Sequence, residues 1–253
     1  MEHEEYCARA DAEIARMAAA AEGADLRAPV PSCPEWDLAK LLKHTGIAHR
    51  WVTAIVATRA TGPVHPRSLD VGLPEDPARY PKWLASGAAP LLSALCEAGP
   101  DTPVWSWSGQ VGSDWWARRM LHETTVHRAD AELTAGAAPV IDPAVAADGV
   151  DEFLAHAPSA AQPSQKMARL PAGQSIHLHA TDEGLGEAGE WLISFGGNGY
   201  EWSHGHAKGT VAVRGQAGLL LLLVYGRIRP GDERLQVFGD EGLLATWQSV
   251  MTL

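Results

Sequence analysis

Two side chains in the middle of the chain, Glu123 and His127, have the residue types and the spacing of a metal-binding pair. They lie within a run from Trp115 to Glu132 whose apolar spacing predicts a single helix. Residues four apart share one helix face, so the carboxylate and the imidazole point the same way and are able to bind one divalent ion. A Glu–His hydrogen bond or a solvated helix edge also accounts for the pair.

The rest of the face that carries this pair is apolar. The whole face comprises Trp116, Met120, Glu123, His127 and Ala131. An unpaired charge on a buried face is costly, so Glu123 requires a partner. Ser113 is predicted to cap the start of this helix and Gly136 to end it. His122 lies about 100° round the helix and is predicted to be a surface residue.

The elements around this helix predict an antiparallel helical bundle. Helices are expected over residues 4–22, from the Asp37 cap to about Ala57, over 81–98 with a kink at Pro90, and over 143–155 after an Asp142 cap. Residues 99–113 are expected to form a loop carrying Trp105 and Trp107. Metal sites in bundles are built from inward side chains of facing helices, so a third ligand is expected from the second helix. His44 and His49 flank its apolar line on opposite sides, and periodicity alone does not choose between them.

The composition changes near Pro158, where a Pro-, Ala- and Ser-rich stretch predicts a linker. The segments that follow alternate apolar and polar residues or form short apolar runs, as expected for an α+β domain. We therefore predict a helical domain over residues 1–157 and a small α+β domain over 172–253. His177, His179, His204 and His206 occur as two H-x-H pairs, which we interpret as solvated edge residues because no carboxylate cluster is near them in the sequence.

Composition excludes several classes of protein. The 253 residues carry a formal charge of −11, which argues against a nucleic-acid partner. The sequence contains no run of 18 apolar residues and no signal-peptide pattern, so a cytoplasmic protein without a membrane partner is expected. Three widely separated cysteines predict no disulfide framework. Six of the ten tryptophans precede residue 116, which suggests an aromatic-lined cavity or an aromatic core.

Two segments resemble signatures of the mycothiol-dependent maleylpyruvate isomerase family, whose first domain is a DinB-like metal-binding four-helix bundle. They are V-P-S-C-P-E-W-D-L-A-K-L-L-K-H-T-G-I-A-H-R-W from Val30 and W-A-R-R-M-L-H-E-T-T-V-H-R-A-D-A-E from Trp116. The tail is similar to the family's C-terminal domain through S-I-H-L-H-A-T-D, V-R-G-Q-A-G-L-L-L-L-L-V-Y-G-R and V-F-G-D-E-G-L-L-A-T-W. The resemblance covers most of the chain in the expected order.

The resemblance implies a site and its cofactors. Matched residue by residue, the ligands of a divalent metal, usually zinc, are His44, Glu123 and His127, with His49 as the fallback on the second helix. The family also implies an important arginine in the C-terminal domain, for which Arg227 is the first candidate and Arg214 the second. The thiol cofactor it implies is mycothiol.

The activity that the resemblance implies is cis–trans isomerisation of maleylpyruvate or a related ene-diacid. A metal-stabilised thiolate adds to the double bond, the adduct rotates, and elimination returns the thiol. The same thiolate could serve a mycothiol S-transferase acting on electrophiles. A third reading is a non-enzymatic, metal-stabilised protein that binds a ligand or a partner. The sequence fixes neither the substrate nor the oligomeric state.

Overall fold

The computed structural model describes residues 1–160, 169–196 and 199–251, which form two compact units, Met1–Pro139 and Val140–Leu253. The predicted boundary at residue 157 is therefore displaced, because the helix Pro143–Ala160 belongs to the second unit. It is held there by Phe153, whose ring lies 4.8 Å from that of Tyr225, and by Leu154, whose carbonyl accepts a hydrogen bond from Tyr200. Most of the predicted linker, 161–168, lies outside the described residues.

The first unit is the predicted helical bundle. Its helices are α1 (His3–Ala21), α2 (Leu38–Ala57), α3 (Tyr80–Ser86), α4 (Ala88–Ala98) and α5 (Ser113–Thr134). Helix α1 packs along α5, and α2 packs against both α4 and α5. Asp37 caps α2 as predicted, since its carboxylate accepts a hydrogen bond from the Lys40 backbone N–H.

Helix α3 and helix α4 replace the single kinked helix predicted over 81–98. The break falls at Gly87, where a Cβ would lie 2.7 Å from Nη1 of Arg50, so a side chain there would collide with the guanidinium. Pro90 causes no kink because it occupies the first turn of α4, where the backbone N–H has no partner within the helix.

A short hairpin, β1 (Pro103–Ser106) and β2 (Gly109–Gly112), occupies part of the predicted loop 99–113. It leads directly into α5, where Gly112 takes the N-cap position that the sequence assigned to Ser113. The Ser113 hydroxyl instead donates to the carbonyl of Gly99. The hairpin thus fixes the entry of the helix that carries Glu123 and His127.

The second unit is the predicted α+β domain. Helix α6 (Pro143–Ala160) precedes the strands β3 (Ser175–Ala180), β4 (Glu190–Gly196), β5 (Gly199–His204), β6 (Val211–Gly215) and β7 (Gln236–Gly239), with α7 (Ala217–Val224) before β7 and α8 (Glu241–Met251) after it. The sheet order is β5-β4-β3-β6-β7, in which only β3 and β6 run parallel. Ile176 and Leu178 of β3 are fully buried, and α7 packs on this strand. Within the described residues, no helix combines the length and the apolar character needed to cross a bilayer.

Candidate metal centre

His44, Glu123 and His127 lie together at one side of the bundle. Nε2 of His44 is 3.1 Å and Nε2 of His127 is 3.3 Å from Oε1 of Glu123, and the ligand atoms of all three lie within 4.8 Å of one another. The His127 side chain is buried, Glu123 is partly buried, and 42% of the His44 side chain is exposed. The group therefore has a sheltered side and an open side.

His49, the fallback on α2, lies elsewhere. Its side chain is fully buried, and Nε2 is 2.9 Å from the hydroxyl of Thr124. Burial lowers its pKa to about 4, more strongly than the nearby Glu123 charge raises it, so the imidazole is neutral. His49 is part of no group of metal-binding geometry among the residues that the structure describes.

Asp130 holds His127 in its orientation. Oδ2 of this fully buried carboxylate lies 2.9 Å from Nδ1 of His127, which leaves Nε2 directed at Glu123. Ser32 donates to Asp130 Oδ1 at 2.5 Å, and the Cys33 thiol lies 3.6 Å from Oδ2. A carboxylate behind a metal-binding imidazole fixes its tautomer and makes it a better ligand. Sequence reasoning missed Asp130, although H-x-x-D on one helix face was the available signal.

The charges of the centre keep its carboxylate ionised. Burial alone would raise the pKa of Glu123, but His127, His44 and Arg119 outweigh it and hold the pKa well below its usual range. Burial alone would lower the pKa of His127, but Glu123 and Asp130 raise it to about 9. Without a metal, the site thus holds a proton on His127 that a metal ion would displace.

A cavity of about 270 Å³ opens beside the three side chains, and its walls are mostly apolar. Its lining includes His44, Glu123, Ile47, Met120, Trp51, Trp107 and Trp116. Trp51 stacks on Trp107 of the hairpin at 6.3 Å, and Trp116 meets Trp107 edge-on at 5.1 Å. The Trp116 indole N–H donates to the carbonyl of Trp105, which fixes the ring. Of the six tryptophans that precede residue 116, Trp51 and Trp107 line this cavity.

The positively charged guanidinium group of Arg119 lies in the wall of this cavity. Nη2 donates to Oε2 of Glu123 at 3.1 Å, and 11% of the arginine side chain is exposed. Sequence reasoning did not single it out, although Arg119, Glu123 and His127 follow one another at intervals of four residues.

The structure also places three further residues that the sequence analysis named. The surface assignment of His122 is wrong, because its side chain is fully buried. Arg214 is exposed on β6 of the second unit. Arg227 follows α7 in that unit, where it donates to the carbonyl of Tyr225 at 2.8 Å and lies over its ring at 5.8 Å.

The donor set of the centre fits a divalent metal. Two imidazoles and one carboxylate, with the remaining direction open to a cavity, are the ligand types of catalytic zinc sites. Metal–ligand bonds of about 2.1 Å separate tetrahedral ligands by roughly 3.4 Å, which is close to the distances of 3.1 and 3.3 Å between the imidazole nitrogens and Glu123. Iron, cobalt and nickel accept the same donors.

Comparison with known proteins identifies the family to which the two domains are similar. Residues 7–132 match the model of the mycothiol maleylpyruvate isomerase N-terminal domain, and residues 144–246 match that of the corresponding C-terminal domain. A crystal structure of a mycothiol-dependent maleylpyruvate isomerase superposes with a TM-score of 0.60 at 14% identity, covering 94% of this chain and 93% of that one. A histidine-to-alanine mutant of such an isomerase gives a TM-score of 0.61 with the same identity and coverage. No curated protein matches the chain significantly in sequence.

Proposed function

The chain belongs to the mycothiol maleylpyruvate isomerase family, and on that premise we propose that it is a metal- and mycothiol-dependent isomerase of maleylpyruvate or a related cis ene-diacid. The observation that carries the proposal is the convergence of His44, Glu123 and His127 beside a tryptophan-lined cavity. When bound, the metal and mycothiol would together supply a thiolate that adds reversibly to the double bond and so permits its rotation.

The chain's own residues bind and orient. His44, Glu123 and His127 would hold the metal, and Asp130 would keep His127 directed at it. Arg119 would pair with a substrate carboxylate at the cavity wall, where bidentate hydrogen bonds offset the repulsion between a dianion and an acidic protein. The tryptophan rings would exclude water from the reacting thiol. Arg227, and after it Arg214, stay the candidates for the important arginine that the family implies in the C-terminal domain.

Conversion of maleylpyruvate to its trans isomer tests the proposal. We expect turnover that requires mycothiol and that ceases after chelation. Glu123→Gln should reduce turnover at least 100-fold, because an amide is a poor metal ligand, whereas the exposed loop variant Glu75→Gln should match the parent. Turnover that persists in Glu123→Gln, or that proceeds without mycothiol, would contradict the proposal.

The apolar lining of the cavity favours one second candidate, a mycothiol S-transferase acting on apolar electrophiles. An isomerase returns the thiol after each turnover, whereas a transferase consumes it. Titration of free mycothiol during a reaction with monobromobimane, compared with a reaction with maleylpyruvate, separates the two. Stoichiometric thiol loss that depends on Glu123, without any isomerisation, would favour the transferase.

A further inference from the structure

A second cluster of metal-ligand residues lies in the second unit, on the sheet face opposite Ile176 and Leu178. His177 and His179 of β3 point to this face, and Glu190 of β4 lies directly across from His179 in the antiparallel register. Nε2 of His177 is 2.5 Å from Oε2 of Glu190, and Nδ1 of His179 is 2.6 Å from Oε1. Two strands thus bring two imidazoles to one carboxylate.

A third imidazole comes from the segment between β5 and β6. Nδ1 of His206 lies 3.2 Å from Oε1 of Glu190, and its ring centroid is 5.1 Å from that of His177. Gly209 lets this segment approach the strand, since a Cβ there would lie 2.8 Å from the backbone nitrogen of His177. The segment therefore packs against the cluster.

Burial distinguishes this cluster from solvated edge histidines. Only 4% of His177 and 13% of the Glu190 side chain are exposed, whereas 77% of the His206 side chain is exposed. Burial opposes the ionisation of Glu190, but hydrogen bonds from His206 and His177 outweigh it and keep its pKa below the ordinary value. His204 takes no part, because its Nδ1 lies 3.0 Å from the Glu190 carbonyl oxygen and its Nε2 lies near Asp151.

We propose that His177, Glu190 and His206 bind a divalent transition-metal ion of the zinc class, in a site separate from that of His44, Glu123 and His127. The three ligand atoms lie within 4.8 Å of one another, and two imidazoles with one carboxylate suit zinc, nickel, copper or cobalt. His179 is a positioning residue that orients Glu190. Arg214, opposite His179 on β6, adds one positive charge to this face.

The bound ion would fasten the segment that carries His206 to the sheet. Ligands on two strands and one connecting segment restrict that segment only when all three are engaged. Metal removal is therefore expected to increase hydrogen exchange in residues 205–210 while leaving the buried strand β3 protected.

Zn²⁺ binding to the tag-free, full-length apoprotein tests the proposal, measured by competition with a chromophoric chelator. We expect two equivalents in the parent, one in Glu123→Gln, and none in Glu123→Gln combined with His206→Ala. The exposed His206 side chain makes its removal compatible with folding, which circular dichroism checks. The control is Glu123→Gln combined with His65→Ala, another exposed histidine, which should keep one equivalent.

His179→Ala in the Glu123→Gln background should weaken the remaining site about 10- to 100-fold, the usual effect of losing a residue that orients a ligand. If Glu123→Gln combined with His206→Ala still binds one equivalent of Zn²⁺, the proposal is overturned. A single equivalent in the parent that Glu123→Gln abolishes would also overturn it, leaving a carboxylate hydrogen-bonded by imidazoles. A single equivalent that survives Glu123→Gln and is lost with His206→Ala would support this site and contradict the one in the bundle.

Discussion

Asp130 fixes the orientation of the His127 imidazole, although it is not itself proposed as a metal ligand. Its carboxylate lies 2.9 Å from Nδ1 of His127 and accepts a hydrogen bond from Ser32. We predict that Asp130→Asn lowers zinc affinity about 10- to 100-fold, because the amide no longer makes the imidazole more basic. Competition titration with a chelator measures the change. Equal affinities in the variant and the parent would show that Asp130 has no part in the centre.

Arg119 is the residue predicted to discriminate a carboxylate substrate from an apolar one. Arg119→Met should raise the KM for an ene-diacid about 10- to 100-fold through loss of a charge-assisted contact, while the zinc content stays that of the parent. An apolar electrophile should be affected far less. Steady-state kinetics and elemental analysis of the same sample provide both measurements. An unchanged KM for the diacid would remove Arg119 from substrate binding.

His49 should make stability depend on pH in a defined window. The pKa of the folded protein's His49 is lowered to about 4 from an ordinary 6.5, so between these values the unfolded chain binds a proton that the folded chain does not. Its contribution to stability is complete above pH 6.5 and falls by up to about 3 kcal/mol as the pH drops to 4. Urea unfolding with chelator present should show this slope in the parent and lose it in His49→Gln. Equal slopes would contradict a neutral buried His49.

Helix α2 places His44 through an unusually close approach to α3. A Cβ on Gly46 would lie 2.2 Å from the ring of Trp83, so only glycine permits this packing. The ring cannot easily move, because Arg50 stacks on it at 4.1 Å and its indole N–H donates to the carbonyl of Val71. The requirement for glycine at position 46 therefore comes from the packing of α2 against α3 and not from the helix propensity of α2.

We predict that Gly46→Ala destabilises the protein by about 1–3 kcal/mol through overpacking, although alanine is normally the better helix former. Gly62→Ala, in a half-buried bend where nothing lies within 4 Å of the added methyl group, is the control without a clash. Thermal unfolding of both variants measures the difference. Stabilisation by Gly46→Ala would mean that Trp83 moves aside readily.

Elements with strong periodicity could be predicted from the sequence, and elements fixed by tertiary contacts could not. The apolar spacing of α1, α2 and α5 predicted these helices closely. The β1–β2 hairpin was not predicted because its strands are only four residues long. The hydrogen bond that the Trp105 N–H donates to the Ala60 carbonyl also joins residues far apart in the sequence. The break at Gly87 depends on the Arg50 guanidinium, which no local pattern reveals.

Over the whole molecule, the two histidine–carboxylate clusters differ in how far they could be predicted from the sequence. Glu123 and His127 could be paired from the sequence because a helix fixes their spacing, and the resemblance supplied His44. Glu190 and His177 are 13 residues apart, and they meet only through the antiparallel register of β3 and β4. Without that register the H-x-H pairs were interpreted as solvated. The ligand role of each cluster stays a prediction.

We propose that a metal held by His44, Glu123 and His127 is what allows the protein to bind mycothiol. Calorimetric titration of mycothiol into zinc-loaded parent, chelated parent and zinc-loaded Glu123→Gln tests it most directly, with elemental analysis of each sample. We expect stoichiometric binding of mycothiol to the zinc-loaded parent and none to the other two samples. Equal mycothiol binding in all three samples would contradict it.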